Sequence, residues 1–285
     1  MGVFRHSEIK FRLAPVLYSG QAKKGRFSGS DFDLIHRYDQ VRSDVVRETR
    51  DRIKSRRIHC LARDTTPVSK GDLLVTNSTQ NPLIVEAVQV LKAGGVAAIP
   101  TDTVYGLAAR AFDRLAIGKV FDIKGRNSKS PLPLLLGSID MMDQCIAASS
   151  DAVMLLAATF WPGPLTIVVP KSDRVSDELT GGSSTVGLRV PDHDVPRALS
   201  LSLGEPITGT SANFSGKPAF TSYYEVRVEM ARELDYIFDG GVLPIRPAST
   251  VIDLSGELPQ ILRHGGVSQE AIESALGVEF QHGMV

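Results

Sequence analysis

From Asn81 to the end of the chain, short strand-like runs alternate with amphipathic helical stretches, a pattern that few folds accept. Asn81-Pro82 forms a cap and first-turn pair, Ile84, Ala87, Val88 and Leu91 share one helical face, and Gly94-Gly95 stops the helix. Val96 to Pro100 reads as a strand. A helix follows around Ala116 to Lys124, then a strand over Pro133 to Leu136, and helices near Asp140 to Ser149 and over Asp151 to Phe160. The runs "LTIVVP", "TVGLRVP", "PITGTS", "YIFDGG", "STVIDL" and "QILRHG" are further strands. Between them lie helices from Asp194 and near Tyr223 to Glu233, and a last helix opens at Ser268. The interleaving predicts an α/β domain on a single sheet over residues 78–278, with a basic extension over 1–77 and a tail over 279–285. "LTIVVP" and "TVGLRVP" adjoin without a helix between them, so the sheet is expected to be mixed.

The formal net charge of zero hides an asymmetry. Residues 1–70 hold 16 Lys and Arg against 8 Asp and Glu, which leaves 16 against 24 in the remainder. The first 30 residues carry six basic side chains and one acid, Glu8, among Phe4, Ile9, Phe11, Leu13 and several serines. That is the composition of a transit peptide, or of a basic leader with no address. Residues 31–57 have a loose helical spacing inside a strongly charged sequence. No apolar run approaches the roughly 20 residues that span a bilayer, so no membrane role is expected. Cys60 and Cys145 form neither a CxxC pair nor a zinc spacing, which argues against a structural metal or a disulfide scaffold and fits a reducing compartment.

There is no GxxxxGK[ST] loop, no GxGxxG after a strand, no HExxH and no GxSxG. The polar residues instead gather at strand ends. "PTDT" follows "VAAI", and "KGR" ends a helix with Lys124 and Arg126. "STVGLRVPDH" brings Thr185 and Arg189, and "TGTSANFSGKP" brings Ser211, Asn213 and Ser215. "PASTVID" brings Ser249 and Thr250, and "ILRHGG" brings Arg263. In an open α/β sheet ligands sit outside the strand ends, so these groups can converge on a small anion with a polar part. Each also has a plainer reading: Thr and Asp after a strand are common caps and turns, and Lys124 and Arg126 suit a helix C-terminus. Arg189 stands apart, because a guanidinium inside the apolar strand "VGLRVP" needs a carboxylate or phosphate partner. Trp161, His193 and His264 read as packing or turn residues.

In order and together, these stretches resemble the YrdC-domain family, the threonylcarbamoyl-AMP synthases. The segments are "GGVAAIPTDTVYGLAARAF", "KGRNSKSPLPLLL", "FWPGPLTIVV", "STVGLRVPDH", "PITGTSANFSGKPA", "IFDGG", "ASTVIDL" and "QILRHGGVS", over about residues 80–275. The family's KxR and SxN pair stands here as Lys124, Arg126, Ser211 and Asn213. The resemblance implies a twisted α/β sheet with a concave, positively lined cavity. It also implies a reaction in which L-threonine, bicarbonate or carbon dioxide, and ATP give threonylcarbamoyl-adenylate and pyrophosphate, with Mg²⁺ accompanying the nucleotide. A separate transferase complex would then carry the product to tRNA.

By the same resemblance Thr101, Arg189 and Ser249 would hold threonine. Lys124, Arg126, Thr185, Ser211, Asn213 and Arg263 would hold the nucleotide, with Lys124 and Arg126 as the catalytic cations and no residue marked as general base. The implied location is the cytoplasm, with the mitochondrion open through the basic front. His264 stands where relatives often have proline, which predicts a looser loop around Arg263, and Pro133 interrupts a run that many relatives keep apolar. Two rivals remain. The carbamoyl-adenylate chemistry of hydrogenase maturation proteins needs cysteine-rich zinc fingers that two lone cysteines cannot supply. An RNA-binding module without synthase activity, in weak contact with tRNA through the basic front, is opposed by the acidic remainder.

Overall fold

The structure, a computed structural model, describes residues 81–125 and 129–280; the basic front and Arg126 lie outside the described residues. Asn81 caps α1 (Pro82–Lys92), its side chain accepting from Leu83 N, and the buried stripe is Ile84, Ala87, Val88 and Leu91. There follow β1 (Ala97–Ile99), β2 (Gly106–Ala108), α2 (Arg114–Lys124) and β3 (Leu134–Leu135). A 3₁₀ turn (Ile139–Gln144), α3 (Asp151–Phe160), β4 (Leu165–Pro170), α4 (Asp177–Thr180) and β5 (Thr185–Arg189) come next. The chain continues through α5 (Asp194–Leu203), β6 (Ile207–Thr208), β7 (Thr210–Ser211), α6 (Tyr223–Met230) and β8 (Tyr236–Ile237). It closes with β9 (Thr250–Asp253), β10 (Gln260–Arg263) and α7 (Gln269–Leu276).

The α/β class and the mixed pairing are as expected, but the strands divide between two sheets where a single one was expected. One sheet has the order β7-β2-β1-β8 and the other β10-β9-β4-β5-β3-β6. The run "PITGTS" supplies a strand to each. Ile207 and Thr208 pair with β3 in the larger sheet, while Thr210 and Ser211 pair with β2 in the smaller. Gly209 sits at the crossing, where a Cβ would lie 2.7 Å from Leu135 Cγ, so the missing side chain leaves the space that the buried Leu135 side chain fills. The sequence alternation marks strands without naming their partners, so a division at one glycine was invisible to it.

The expected helix near Asp140 to Ser149 reduces to the 3₁₀ turn. Beyond it the backbone is drawn to β4: Ala147 N donates to Pro170 O, Ser172 N donates to Cys145 O, and Ile146 forms a bridge with Lys171. Tertiary pairing there outweighs helical propensity. A large core forms around Leu107, Ile117, Leu134, Leu156, Leu165, Ile167 and Ile252. A second, beneath α1 and α5, joins Ile84, Leu91, Ile99, Leu199, Ile207 and Phe238. Full burial of each such side chain contributes about 1.5–3 kcal/mol, which is what holds these short strands in register.

Candidate functional site

Strand direction decides which polar residues meet. β4 runs antiparallel to β5 and parallel to β9, and β10 runs antiparallel to β9. The ends of β5 and β10 therefore lie at the same sheet edge as the starts of β4 and β9. That edge gathers Arg189, Thr166, Ser249 and Arg263. Thr185 falls at the opposite end of β5, facing Pro170 and bonded to Ser183 at 2.9 Å. It stands about 13 Å from Arg189 at roughly 3.3 Å per residue.

Arg189 is buried, and its partner is Asp102. Nη2 donates to Asp102 Oδ2 at 2.5 Å and Nε donates to Gly163 O at 2.8 Å. Burial pushes the Arg189 guanidinium below its usual range; Asp102 opposes that shift and the nearby charge of Arg263 adds to it. Arg263 Nη2 donates to Ser249 Oγ at 2.9 Å and to Ser249 O at 2.8 Å, and its Nε donates to Ser249 O at 3.1 Å. Burial lowers this guanidinium as well. Ser249 Oγ also lies 2.9 Å from Thr166 Oγ1. Of these two neighbouring cations only Arg189 has a carboxylate partner among the described residues, an arrangement that favours an arriving anion.

The turn that presents Asp102 is tied by the hydroxyl of Thr101. Its Oγ1 donates to Val104 O at 2.7 Å and accepts from Thr103 N and Val104 N at 3.1 and 3.3 Å. Such local side-chain bonds substitute for a backbone turn. On the other side of this turn, Gly106 pairs with Ser211, and Ala212 N donates to Tyr105 O.

Lys124 ends α2 before a left-handed Gly125 at φ 57°, and it is buried. Its ammonium donates to Ser211 O at 2.6 Å, to Asn213 O at 3.0 Å and to Asn213 Oδ1 at 2.8 Å. Ser211 Oγ donates to Asn213 Oδ1 at 2.7 Å, and Asn213 Nδ2 donates to Lys217 O. Three residues of the expected nucleotide set are therefore one hydrogen-bonded knot, joined through the Thr101 turn and Asp102 to Arg189. Arg126, two residues on, lies outside the described residues.

Sequence reading missed three participants. Thr166 was hidden in an apolar run. Asp102 reads from sequence as a turn residue, although the demand of a buried Arg189 for a carboxylate is itself a signal. Gly265 packs so closely that a Cβ would lie 2.2 Å from Ala248 O and 2.5 Å from the carbonyl carbon of Ser249. The Arg263 loop is fastened there, with Gly266 N donating to Ala248 O, so the looser loop expected from His264 is not what is found. Pro133 stands just before β3 and its carbonyl accepts from Gly209 N. Trp161 donates to Leu165 O and His193 caps α5 by accepting from Val195 N, both structural duties.

The model of the Sua5, YciO and YrdC family, described as telomere recombination, matches residues 89–265, more than half of the chain. A Pyrococcus abyssi protein named threonylcarbamoyl-AMP synthase is 40% identical over 187 residues, 66% of this chain and 55% of that protein. A Bacillus subtilis protein of the same name is 38% identical over 201 residues, 70% of this chain and 58% of that protein. The chain thus spans a little over half the length of these curated relatives. A crystal structure of P. abyssi Sua5 complexed with L-threonine has a TM-score of 0.66 at 40% identity, covering 68% of this chain and 57% of that one. Polar strand ends arranged as above, on a fold and a sequence held in common over these lengths, place the chain in the Sua5/YciO/YrdC family.

Proposed function

We propose that this protein makes threonylcarbamoyl-AMP from L-threonine, bicarbonate or carbon dioxide, and ATP, with release of pyrophosphate. The observation that carries the reading is the convergence of buried Arg189, Ser249 and Arg263 on one sheet edge, linked to the Lys124, Ser211 and Asn213 knot. The names of the relatives and the threonine complex of P. abyssi Sua5 support it.

The chemistry asks for little beyond orientation and charge neutralisation. The amine of threonine, freed of its ammonium proton, attacks the carbon of bicarbonate with loss of water, or that of carbon dioxide with loss of a second proton, to give a carbamate. A carbamate oxygen then attacks the α-phosphorus of ATP, and the bond to pyrophosphate breaks. Arg189 and Ser249 hold the amino acid, with Thr101 shaping the turn beside it. Ser211, Asn213 and Arg263 hold the nucleotide, and Thr185, about 13 Å from Arg189 along β5, would meet its other end. Lys124 and Arg126 neutralise the leaving pyrophosphate, Lys124 exchanging a protein acceptor for a phosphate oxygen. Among the described residues no three His, Cys, Asp or Glu side chains group as metal ligands. Mg²⁺ is assigned to the phosphates of the nucleotide, as part of the substrate. The adenylate would pass to a transferase complex that modifies tRNA, in the cytoplasm or, through the basic front, also in the mitochondrion.

Mass spectrometry tests the reaction directly. With ¹³C-bicarbonate the product should be threonylcarbamoyl-AMP heavier by one mass unit than with ordinary bicarbonate. An adenylate lacking the label, or none at all, would remove the reading.

A further inference from the structure

The salt bridge between Asp102 and Arg189 is the most buried charged pair at the site, with side chains 2% and 7% exposed. Each partner has capacity left over. Arg189 uses Nε and Nη2 on Gly163 O and Asp102 Oδ2, and Nη1 carries no hydrogen bond among the described residues. Asp102 Oδ1 is buried with no hydrogen-bond partner, the one such side-chain atom among the described residues. A buried acceptor without a donor costs about 1–3 kcal/mol, more when it is charged, so its retention calls for a partner that arrives from outside.

A donor and an acceptor left over on adjacent, oppositely charged groups match one ligand class closely, the zwitterion of an α-amino acid. Its carboxylate and ammonium stand on a single carbon, as Nη1 and Oδ1 stand on a single ion pair. We propose that Asp102 is a specificity-determining residue for the amino acid: its carboxylate accepts from the ammonium while Arg189 Nη1 donates to the carboxylate. The same negative charge disfavours a simple monoanion, which would meet a half-neutralised guanidinium and no reward for Oδ1. The assignment rests on the proposed threonine site and adds the reader of the amine to it.

Calorimetry on the full 285-residue protein tests this with L-threonine and with (R)-3-hydroxybutyrate, the same molecule without its amine. Asp102→Asn keeps an oxygen for Arg189 Nη2 and replaces the other oxygen by a donor. Wild-type protein should prefer threonine by at least about tenfold, the scale of one charged hydrogen bond. In Asp102→Asn the affinity for threonine should fall by about tenfold or more while that for hydroxybutyrate holds or rises, so that the preference collapses. A merely structural Asp102 would weaken both ligands together. That result, or threonine affinity within about threefold of wild type, overturns the assignment. If the variant does not fold, as its circular dichroism would report, a crystal of wild-type protein with L-threonine decides. An amine nitrogen within hydrogen-bond distance of the Asp102 carboxylate supports the assignment, and an amine bound elsewhere overturns it. Wild-type protein that binds no threonine at all removes the proposed function, and this assignment with it.

Discussion

His193 accepts from Val195 N at 3.2 Å through Nδ1, and the ring is held neutral by its surroundings. Burial lowers its pKa, and the charges of Asp102, Asp194 and Asp192 recover only part of the shift. An unfolded histidine titrates near about 6.5, so below that value the unfolded chain binds a proton that the folded one resists. Stability should therefore fall as pH drops from about 7 to about 5. His193→Asn keeps a capping acceptor without a titrating ring, and its melting temperature should fall less over that interval; an equal fall would contradict the account. Tyr105 makes a second residue-level case. It is fully buried, its hydroxyl donates to Gly241 O and accepts from Gly240 N, both at 3.0 Å, and burial pushes its pKa up to about 12. Tyr105→Phe loses both bonds and should lower unfolding free energy by about 1–3 kcal/mol in denaturant titration, at about 0.5–1.5 per bond. Unchanged stability would contradict it. The role of Arg189 was partly legible at this scale. An arginine in an apolar strand announces an anionic partner, but that partner lies 87 residues away, and no local spacing points to Asp102.

Elements carry the site by their ends. The strand-to-loop junctions were legible because Gly, Pro, Ser and Thr punctuate them. The direction of each strand was not, and direction is what separates Thr185 from Arg189 along β5. The Arg263 loop shows the same limit. "RHGG" reads as a flexible turn, yet Gly265 is wedged against the backbone of Ala248, Ser249 and Thr250, and Thr250 Oγ1 accepts from Val267 N at 3.0 Å. Gly265→Ala would drive a methyl group into backbone that cannot rotate away, at a cost of about 1–3 kcal/mol for overpacking. Because the displaced segment carries Ser249, the variant should lose threonine affinity as well as thermal stability. Normal affinity in a folded Gly265→Ala protein would separate the loop from the site.

For the whole molecule, the two-sheet arrangement explains how a chain without a nucleotide-binding signature can still bring together the groups proposed to bind an anion. The smaller sheet supplies the turn with Thr101 and Asp102 and the edge with Ser211. The larger supplies Arg189, Ser249 and Arg263, and the crossing at Gly209 keeps the two in contact. The α/β class was legible from periodicity; the partition was not, since pairing of two-residue strands is decided by packing. Residues 1–70 share no motif with the site, so a chain beginning near Ser78 should retain synthesis; its loss would assign the basic front a catalytic part. The central claim rests on one reaction. Incubated with ATP, bicarbonate and radiolabelled L-threonine, the purified protein should release pyrophosphate only when threonine is present and should move the label into an adenylate. Pyrophosphate release at the same rate without threonine would contradict it.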